Sequence, residues 1–111
     1  MTDTTTRAPL AVTCGDPAGI GLEIFRTAQK EIGTKIPMVL FADQRHLPRD
    51  VPITLFQPNT APPPADHIWL HHIDFAQPAH PGRPDPRNAA GVIAAIEQAV
   101  RLTQAGQMAG L

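Results

Sequence analysis

Leu10-Ala-Val-Thr-Cys-Gly-Asp-Pro-Ala-Gly-Ile-Gly-Leu-Glu-Ile24 decides the fold of this chain. Leu10 to Cys14 is a short apolar run with Pro9 behind it and Gly15-Asp16-Pro17 ahead. A run that short, bounded by breakers and not alternating, predicts a buried strand. Beyond the glycines, Ile20, Ile24, Ala28 and Ile32 recur every fourth residue with Phe25 beside them, which predicts a helix with one apolar stripe. Gly33 follows the last periodic residue, where a left-handed cap is expected, and Lys30 suits the negative helix end. Pro37-Met-Val-Leu-Phe41 is a second continuous apolar run. Strand, helix and strand without alternation predict a parallel βαβ unit with a right-handed crossover.

Working outward, Asp43 to Leu47 reads as a single helical turn capped by Asp43. Ile53 to Phe56 reads as a third strand, and His67 to Ile73 as a fourth. Gln57 to Asp66, with Pro62-Pro-Pro64, is a stiff extended connection. Asp85 before Pro86 predicts a helix start, with proline in the first turn. Ile93, Ile96 and Val100, with Val92, Ala99 and Thr103, carry helical spacing to Gln104, and Gly106 is a natural stop. Ala109-Gly-Leu111 then looks like the opening of another strand. The expected fold is therefore α/β: a partial three-layer sandwich around a mostly parallel sheet, truncated. Residues 1–8 are expected to be a flexible leader. Residues 9–111 are expected to be the N-terminal part of a larger α/β domain.

Composition narrows the function. The chain has 111 residues, 42% of them apolar, with nine basic and ten acidic side chains. A net charge of −1 argues against a nucleic-acid or anionic-membrane surface built on bulk charge. No run of about eighteen apolar residues is present. Met1 to Arg7 lacks the apolar stretch of a secretory signal, so the expected location is cytoplasmic. One cysteine excludes an internal disulfide and a cysteine-rich zinc module. There is no serine, so a serine-hydrolase mechanism within this chain is excluded. Ten of the 13 prolines fall between Pro48 and Pro86, which predicts a loop-rich middle with short strands.

The bend from Gly15 to Glu23 is the stretch that carries chemistry. Its glycines stand at 15, 19 and 21, in neither the G-x-G-x-x-G nor the Walker pattern. Glycines permit positive φ and close backbone approach. The helix starting there turns its free N–H groups and positive end toward the loop. In an open α/β sheet, ligands lie outside the carboxyl ends of the strands. Asp16 adds a fixed negative charge able to accept hydrogen bonds or hold a cation, and Glu23 suits the helix start. A tight turn with no ligand explains the same residues, so both readings stand.

Leu10 to Ile24 resembles the opening of the 4-hydroxythreonine-4-phosphate dehydrogenase family of vitamin B6 (pyridoxal phosphate) biosynthesis, whose members begin with a strand and Gly-Asp-Pro-Ala-Gly-Ile-Gly-Pro-Glu. Gly82-Arg-Pro-Asp-Pro-Arg-Asn88 resembles the family's Gly-Lys-Pro-x-Pro-x-Asn-Gly segment. Gln104 to Leu111 resembles the stretch before its Val-Thr-Gly/Ala-Pro-x-His-Lys strand and loop. The resemblance spans roughly Pro9 to Leu111.

It implies a homodimeric oxidoreductase that uses NAD and a divalent metal (Zn, Mg or Co) to oxidise a phosphorylated hydroxy amino acid, with decarboxylation of the β-keto product. The implied fold is that of the isocitrate and isopropylmalate dehydrogenases, two domains flanking a cleft. Asp16, Gly19 and Gly21 are the implied cofactor-binding residues. The family's three metal-binding histidines, its His-Thr pair and its phosphate-holding Lys, Asn and Arg have no counterpart here, so the 111-residue chain alone is expected to be inactive. Leu22 replaces a usual proline, and Ala89-Ala90 is inserted before Gly91. A related dehydrogenase of phosphorylated four-carbon sugar acids fits the same residues. So does a small non-catalytic α/β module that binds an anion at the first helix.

Five histidines invite a metal reading. His71 and His72 are adjacent, so a strand points them to opposite faces. His67 and His71 share a face but stand about 13 Å apart. Hydrogen-bonded or exposed histidines are the simpler expectation. Cys14 is expected to be a small buried hydrophobe rather than a reactive thiol, and Trp69 a packing residue.

Overall fold

The computed structural model describes residues 8–111. Most of the expected leader, residues 1–7, therefore lies outside the described residues. Strand β1 is Leu10–Thr13, helix α1 is Gly21–Ile32, and β2 is Met38–Ala42. Next come β3 (Ile53–Leu55), β4 (Ile68–His72) and helix α2 (Ala89–Gln104). Two 3-10 turns, Gln44–His46 and Pro86–Asn88, follow β2 and precede α2.

The four strands form one sheet in the order β1-β2-β4-β3, every pair parallel. Leu10 faces Met38, Leu40 faces Leu70, and Ile53 faces Ile68. A further parallel bridge joins Leu10 to Gly110 on the free side of β1, where the Ala11 N–H donates to the Gly110 carbonyl at 2.9 Å. The segment read as the opening of a strand thus reaches the outer edge of β1.

Alternation along the strands splits the core in two. On one face Leu40, Ile68 and Leu70 pack against Phe25 of α1. On the other, Val39, Phe41 and Trp69 pack against Ala95 and Ala99 of α2. This arrangement follows from right-handed crossovers. The chain moves from β1 to β2 through α1, and from β4 back past β1 through α2. Opposite directions of travel put the helices on opposite faces.

Only part of each apolar stripe that announced the helices is buried: Phe25 and Ala28 in α1, Val92 and Ala99 in α2. In α1, Ile20 and Ile24 are 64% and 58% exposed, while Phe25 carries the packing. In α2, Ile93 is 57% exposed, and Gly91, Ala95 and Ala99 face the sheet. Small residues win that side because α2 lies close over β1, β2 and Phe75. A methyl built at Gly91 would stand 2.6 Å from Cγ of Phe75. Gly91→Ala should therefore lower stability by about 2 kcal/mol despite alanine's better helix propensity. Urea unfolding followed by the fluorescence of the single Trp69 measures it.

Gly33 also departs from expectation. Its φ is −62°, and its N–H donates to the Gln29 carbonyl at 2.9 Å, so it continues the helical ladder rather than capping it left-handed. The winding runs on to Ile36, whose N–H bonds the Ile32 carbonyl, and Pro37 ends it. Gly106 does take a positive φ, of 81°, after α2.

Candidate functional site at the carboxyl end of the first strand

The bend between β1 and α1 begins with Gly15 at φ 68°, a conformation glycine adopts without strain. Asp16 then folds the loop on itself. Its Oδ1 accepts the Ala18 N–H at 2.8 Å and its carbonyl accepts the Gly19 N–H at 3.0 Å. The start of α1 follows with Ile20 at the cap position and no capping side chain, which leaves its first-turn amides without a side-chain acceptor.

Gly21 has an internal reason to be glycine. A Cβ there would lie 2.8 Å from the carbonyl carbon of Cys14 and nearer still to its oxygen. The helix start is pressed against the end of β1. Gly19 is exposed, and a Cβ there would meet only the Asp16 carbonyl oxygen at 3.3 Å. Of the three residues singled out from the sequence, Asp16 and Gly19 are exposed, and Asp16 also borders the packed pocket beside Cys14. Gly21 holds the bend's shape.

The side of the bend toward β2 is packed. Cys14, Leu22, Phe41, His46 and Phe75 leave a cavity of about 30 Å³ there, room for about one water molecule. The bend's open side exposes Gly15, Asp16, Gly19 and Ile20, while the Gly82 N–H donates to the buried Ala18 carbonyl at 3.0 Å.

Cys14 lines the packed side, and burial pushes its thiol up to about 11. At neutral pH its thiol is protonated, and the side chain is half-buried against the core rather than fully buried as expected. Raising a thiol from 9.0 to about 11 cuts its thiolate fraction about 100-fold. Iodoacetamide at pH 8 should therefore modify Cys14 about 100-fold more slowly than a free cysteine, read by mass spectrometry.

At the end of β2, Asp43 is fully buried, and the sequence marked it only as a turn cap. Its carboxylate accepts the Arg45 backbone N–H at 2.9 Å, the Arg45 guanidinium at 2.7 Å and the Phe75 N–H at 2.9 Å. Burial alone would raise its pKa. The Arg45 charge and the two backbone donors overcome that and hold it well below the usual carboxylate range. Arg45 also donates to the Phe75 carbonyl. Nearby, His46 bonds the Gln77 carbonyl, and buried Asn88 accepts the Gln77 N–H at 2.8 Å. Together these bonds clamp residues 73–88 over the carboxyl ends of the strands. The signal was Asp43-Gln-Arg45, repeated as Asp85-Pro-Arg87, where the same cap-and-guanidinium geometry recurs. Burial and the bonds to Phe75 distinguish the first copy.

His67, His71 and His72 are held by hydrogen bonds. His71 stacks on Phe41 at 4.7 Å and pairs with Gln98, and His67 pairs with Thr54. Asp43, His72 and Asp74 come together closely enough to suggest a cation site. Their donor chemistry does not fit one. His72 Nδ1 accepts the Gln44 N–H, its Nε2 faces Asp74, and Asp43 is fully engaged by Arg45 and Phe75. Among the described residues, no helix is long and apolar enough to cross a membrane.

Comparison with known proteins gives a consistent result. No family model matches the chain. A 4-hydroxythreonine-4-phosphate dehydrogenase of Paracoccus denitrificans is 43% identical over 107 residues, covering 93% of this chain and 31% of the relative. That of Roseobacter denitrificans is 41% identical over 106 residues, 94% of this chain and 32% of the relative. The crystal structure of the Klebsiella pneumoniae 4-hydroxythreonine-4-phosphate dehydrogenase superposes with a TM-score of 0.75 at 24% identity, covering 91% of this chain and 35% of that one. The Burkholderia phymatum structure gives 0.77 at 18% identity, over 92% and 34%. The expected α/β fold, with its parallel sheet between helices, is thus shared with solved structures of this kind, and the chain spans about a third of the length of the relatives it matches. This chain is a homologue of the 4-hydroxythreonine-4-phosphate dehydrogenases.

Proposed function

We propose that this chain forms part of one α/β domain of an NAD-dependent dehydrogenase acting on 4-hydroxythreonine 4-phosphate, with the bend at Asp16, Gly19 and Gly21 lining the cofactor-binding side of the cleft. One observation carries the reading. The bend follows β1, and the chain returns past β1 at Gly110 on the side away from β2. The bend therefore sits outside the carboxyl end of β1, where ligands of open α/β sheets lie.

Each residue then has a task. Asp16 spends Oδ1 on the Ala18 amide, which fixes its carboxylate so that Oδ2 can accept from a hydroxyl of cofactor or substrate. Gly19 keeps the open side low enough for a ligand to approach the backbone. Gly21 seats α1 against Cys14, so that the uncapped first-turn amides point at a phosphate. NAD, when bound, accepts the hydride. The divalent metal of this reading finds no fitting ligand set among the described residues, so no step is assigned to it here. The reading includes the homodimeric, cytoplasmic state that the resemblance implies. A phosphorylated four-carbon sugar acid remains the competing substrate, distinguished by a substrate panel.

The test is a chimera in which residues 8–111 replace the matched third of the Paracoccus denitrificans relative. It should reduce NAD with 4-hydroxythreonine 4-phosphate. Asp16→Ala should lower kcat/KM about 100-fold, the scale of losing an oriented charged hydrogen bond. A folded chimera that never reduces NAD, or an Asp16→Ala chimera at full rate, contradicts the reading.

A further inference from the structure

Residues 73–88 form a strap that is anchored near both ends. Asp43 holds the Phe75 N–H, while Gln77 is held twice, its carbonyl by His46 and its N–H by Asn88 at the far end of the strap. Between those anchors, His80 to Pro84 is exposed. This exposed tip still reaches the bend, because the Gly82 N–H donates to the Ala18 carbonyl at 3.0 Å. A tight turn presents that donor. The Arg83 N–H bonds the His80 carbonyl at 2.9 Å, and Gly82 takes a φ of 74°. Nothing lies within 4 Å of a Cβ built at Gly82, so the backbone conformation and not packing asks for glycine there.

The bond falls on a particular peptide unit. The Ala18 carbonyl and the Gly19 N–H belong to one planar group. Gly82 holds its oxygen, and its N–H donates to the Asp16 carbonyl at 3.0 Å. One residue earlier, the Ala18 N–H holds Oδ1 of Asp16 at 2.8 Å. Together the three bonds orient the Asp16 carboxylate and the Gly19 backbone, and the one from Gly82 comes from outside the bend. We infer that Gly82 is a positioning residue for the cofactor-binding bend: the strap tip holds the Ala18–Gly19 peptide plane so that Asp16 and Gly19 meet the ligand already oriented. The inference rests on the cofactor reading for the identity of that ligand, but the coupling of strap to bend is measurable with no ligand present. Preorganisation of this kind lowers the ordering cost of binding, so its loss weakens cofactor binding more than turnover.

The experiment compares two substitutions. Gly82→Pro removes the N–H and forbids a positive φ. Gly82→Asn keeps the donor, and asparagine tolerates this conformation, as Asn59 does at φ 63°. In the 111-residue chain, amide exchange at Ala18 and Gly19 should quicken about tenfold in Gly82→Pro and stay within about twofold of wild type in Gly82→Asn. Amides of β2 and β4 should keep their protection in both variants, because the tip is exposed. In the chimera with the Paracoccus denitrificans relative, Gly82→Pro should raise KM for NAD about tenfold with kcat within about twofold, and Gly82→Asn should keep the wild-type KM. Unchanged exchange at Ala18 and Gly19 in Gly82→Pro would overturn the inference, as would exchange that quickens equally in β2 and β4. A chimera in which Asp16→Ala lowers kcat/KM while Gly82→Pro leaves KM unaltered would overturn it too. If neither substitution acts on the chimera, the cofactor reading itself fails and takes the inference with it.

Discussion

Gly21→Ala should destabilise the protein by about 3 kcal/mol, although in most helices the same change is favourable. Alanine's propensity gain over glycine is worth about 1 kcal/mol. Against it stands a Cβ pressed into the carbonyl group of Cys14, 2.8 Å from the carbon and 2.9 Å from Cα. These are backbone atoms at the end of β1, so relief requires moving the strand or the helix, and overpacking of this kind costs about 1–3 kcal/mol or more. Gly15→Ala is the informative comparison. Nothing lies within 4 Å of a Cβ there, and the cost is confined to a positive φ, about 1–2 kcal/mol. Urea unfolding of both variants, followed by Trp69 fluorescence, should rank Gly21→Ala as the more damaging. The reverse order would mean that α1 is not seated against Cys14.

Asp43→Ala is the second large effect, about 3 kcal/mol of lost stability, because it strands donors that the buried carboxylate satisfies. The Phe75 N–H would lose its acceptor inside the protein, and the clamp over residues 73–88 would lose its anchor. Asp43→Asn, which keeps one acceptor oxygen, should cost less. The pH dependence has a definite sign. The folded-state pKa of Asp43 lies below its ordinary 3.8, so the carboxylate's contribution is fully present above about pH 4. It is lost as the pH falls below that, when the unfolded chain binds the proton more readily than the folded one. Urea midpoints measured from pH 6 to pH 2.5 should therefore fall more steeply in the native protein than in Asp43→Asn. Parallel curves would remove Asp43 as the source.

The strands and helices were legible because short apolar runs bounded by proline and glycine have few alternatives. β2, β4 and both helices lie where hydrophobic periodicity placed them. Which face of each helix would be buried was not legible. Isoleucines at helical spacing signal an apolar side, but Ala95, Ala99 and Gly91 permit closer approach to the sheet, and the large residues were left outside. Periodicity registers hydrophobicity and does not register what covers it. At the site, the Gly-Asp-Pro-Ala-Gly order pointed to the bend, and the conformational need at Gly15 could be anticipated from residue type. The contact that makes Gly21 a glycine joins residues seven apart across a turn and emerges only in three dimensions. Asp43 was hidden for a similar reason. Its turn was readable, but its second partner, Phe75, is 32 residues away.

Backbone amide exchange across residues 14–23 tests the central claim most directly. In the chimera with the Paracoccus denitrificans relative, adding NAD should slow exchange at the first-turn amides of α1 and on the open side of the bend, with Asp16→Ala weakening the protection. If NAD binds while every amide in that stretch exchanges as in the free protein, the bend is an internal turn and the crevice lies elsewhere.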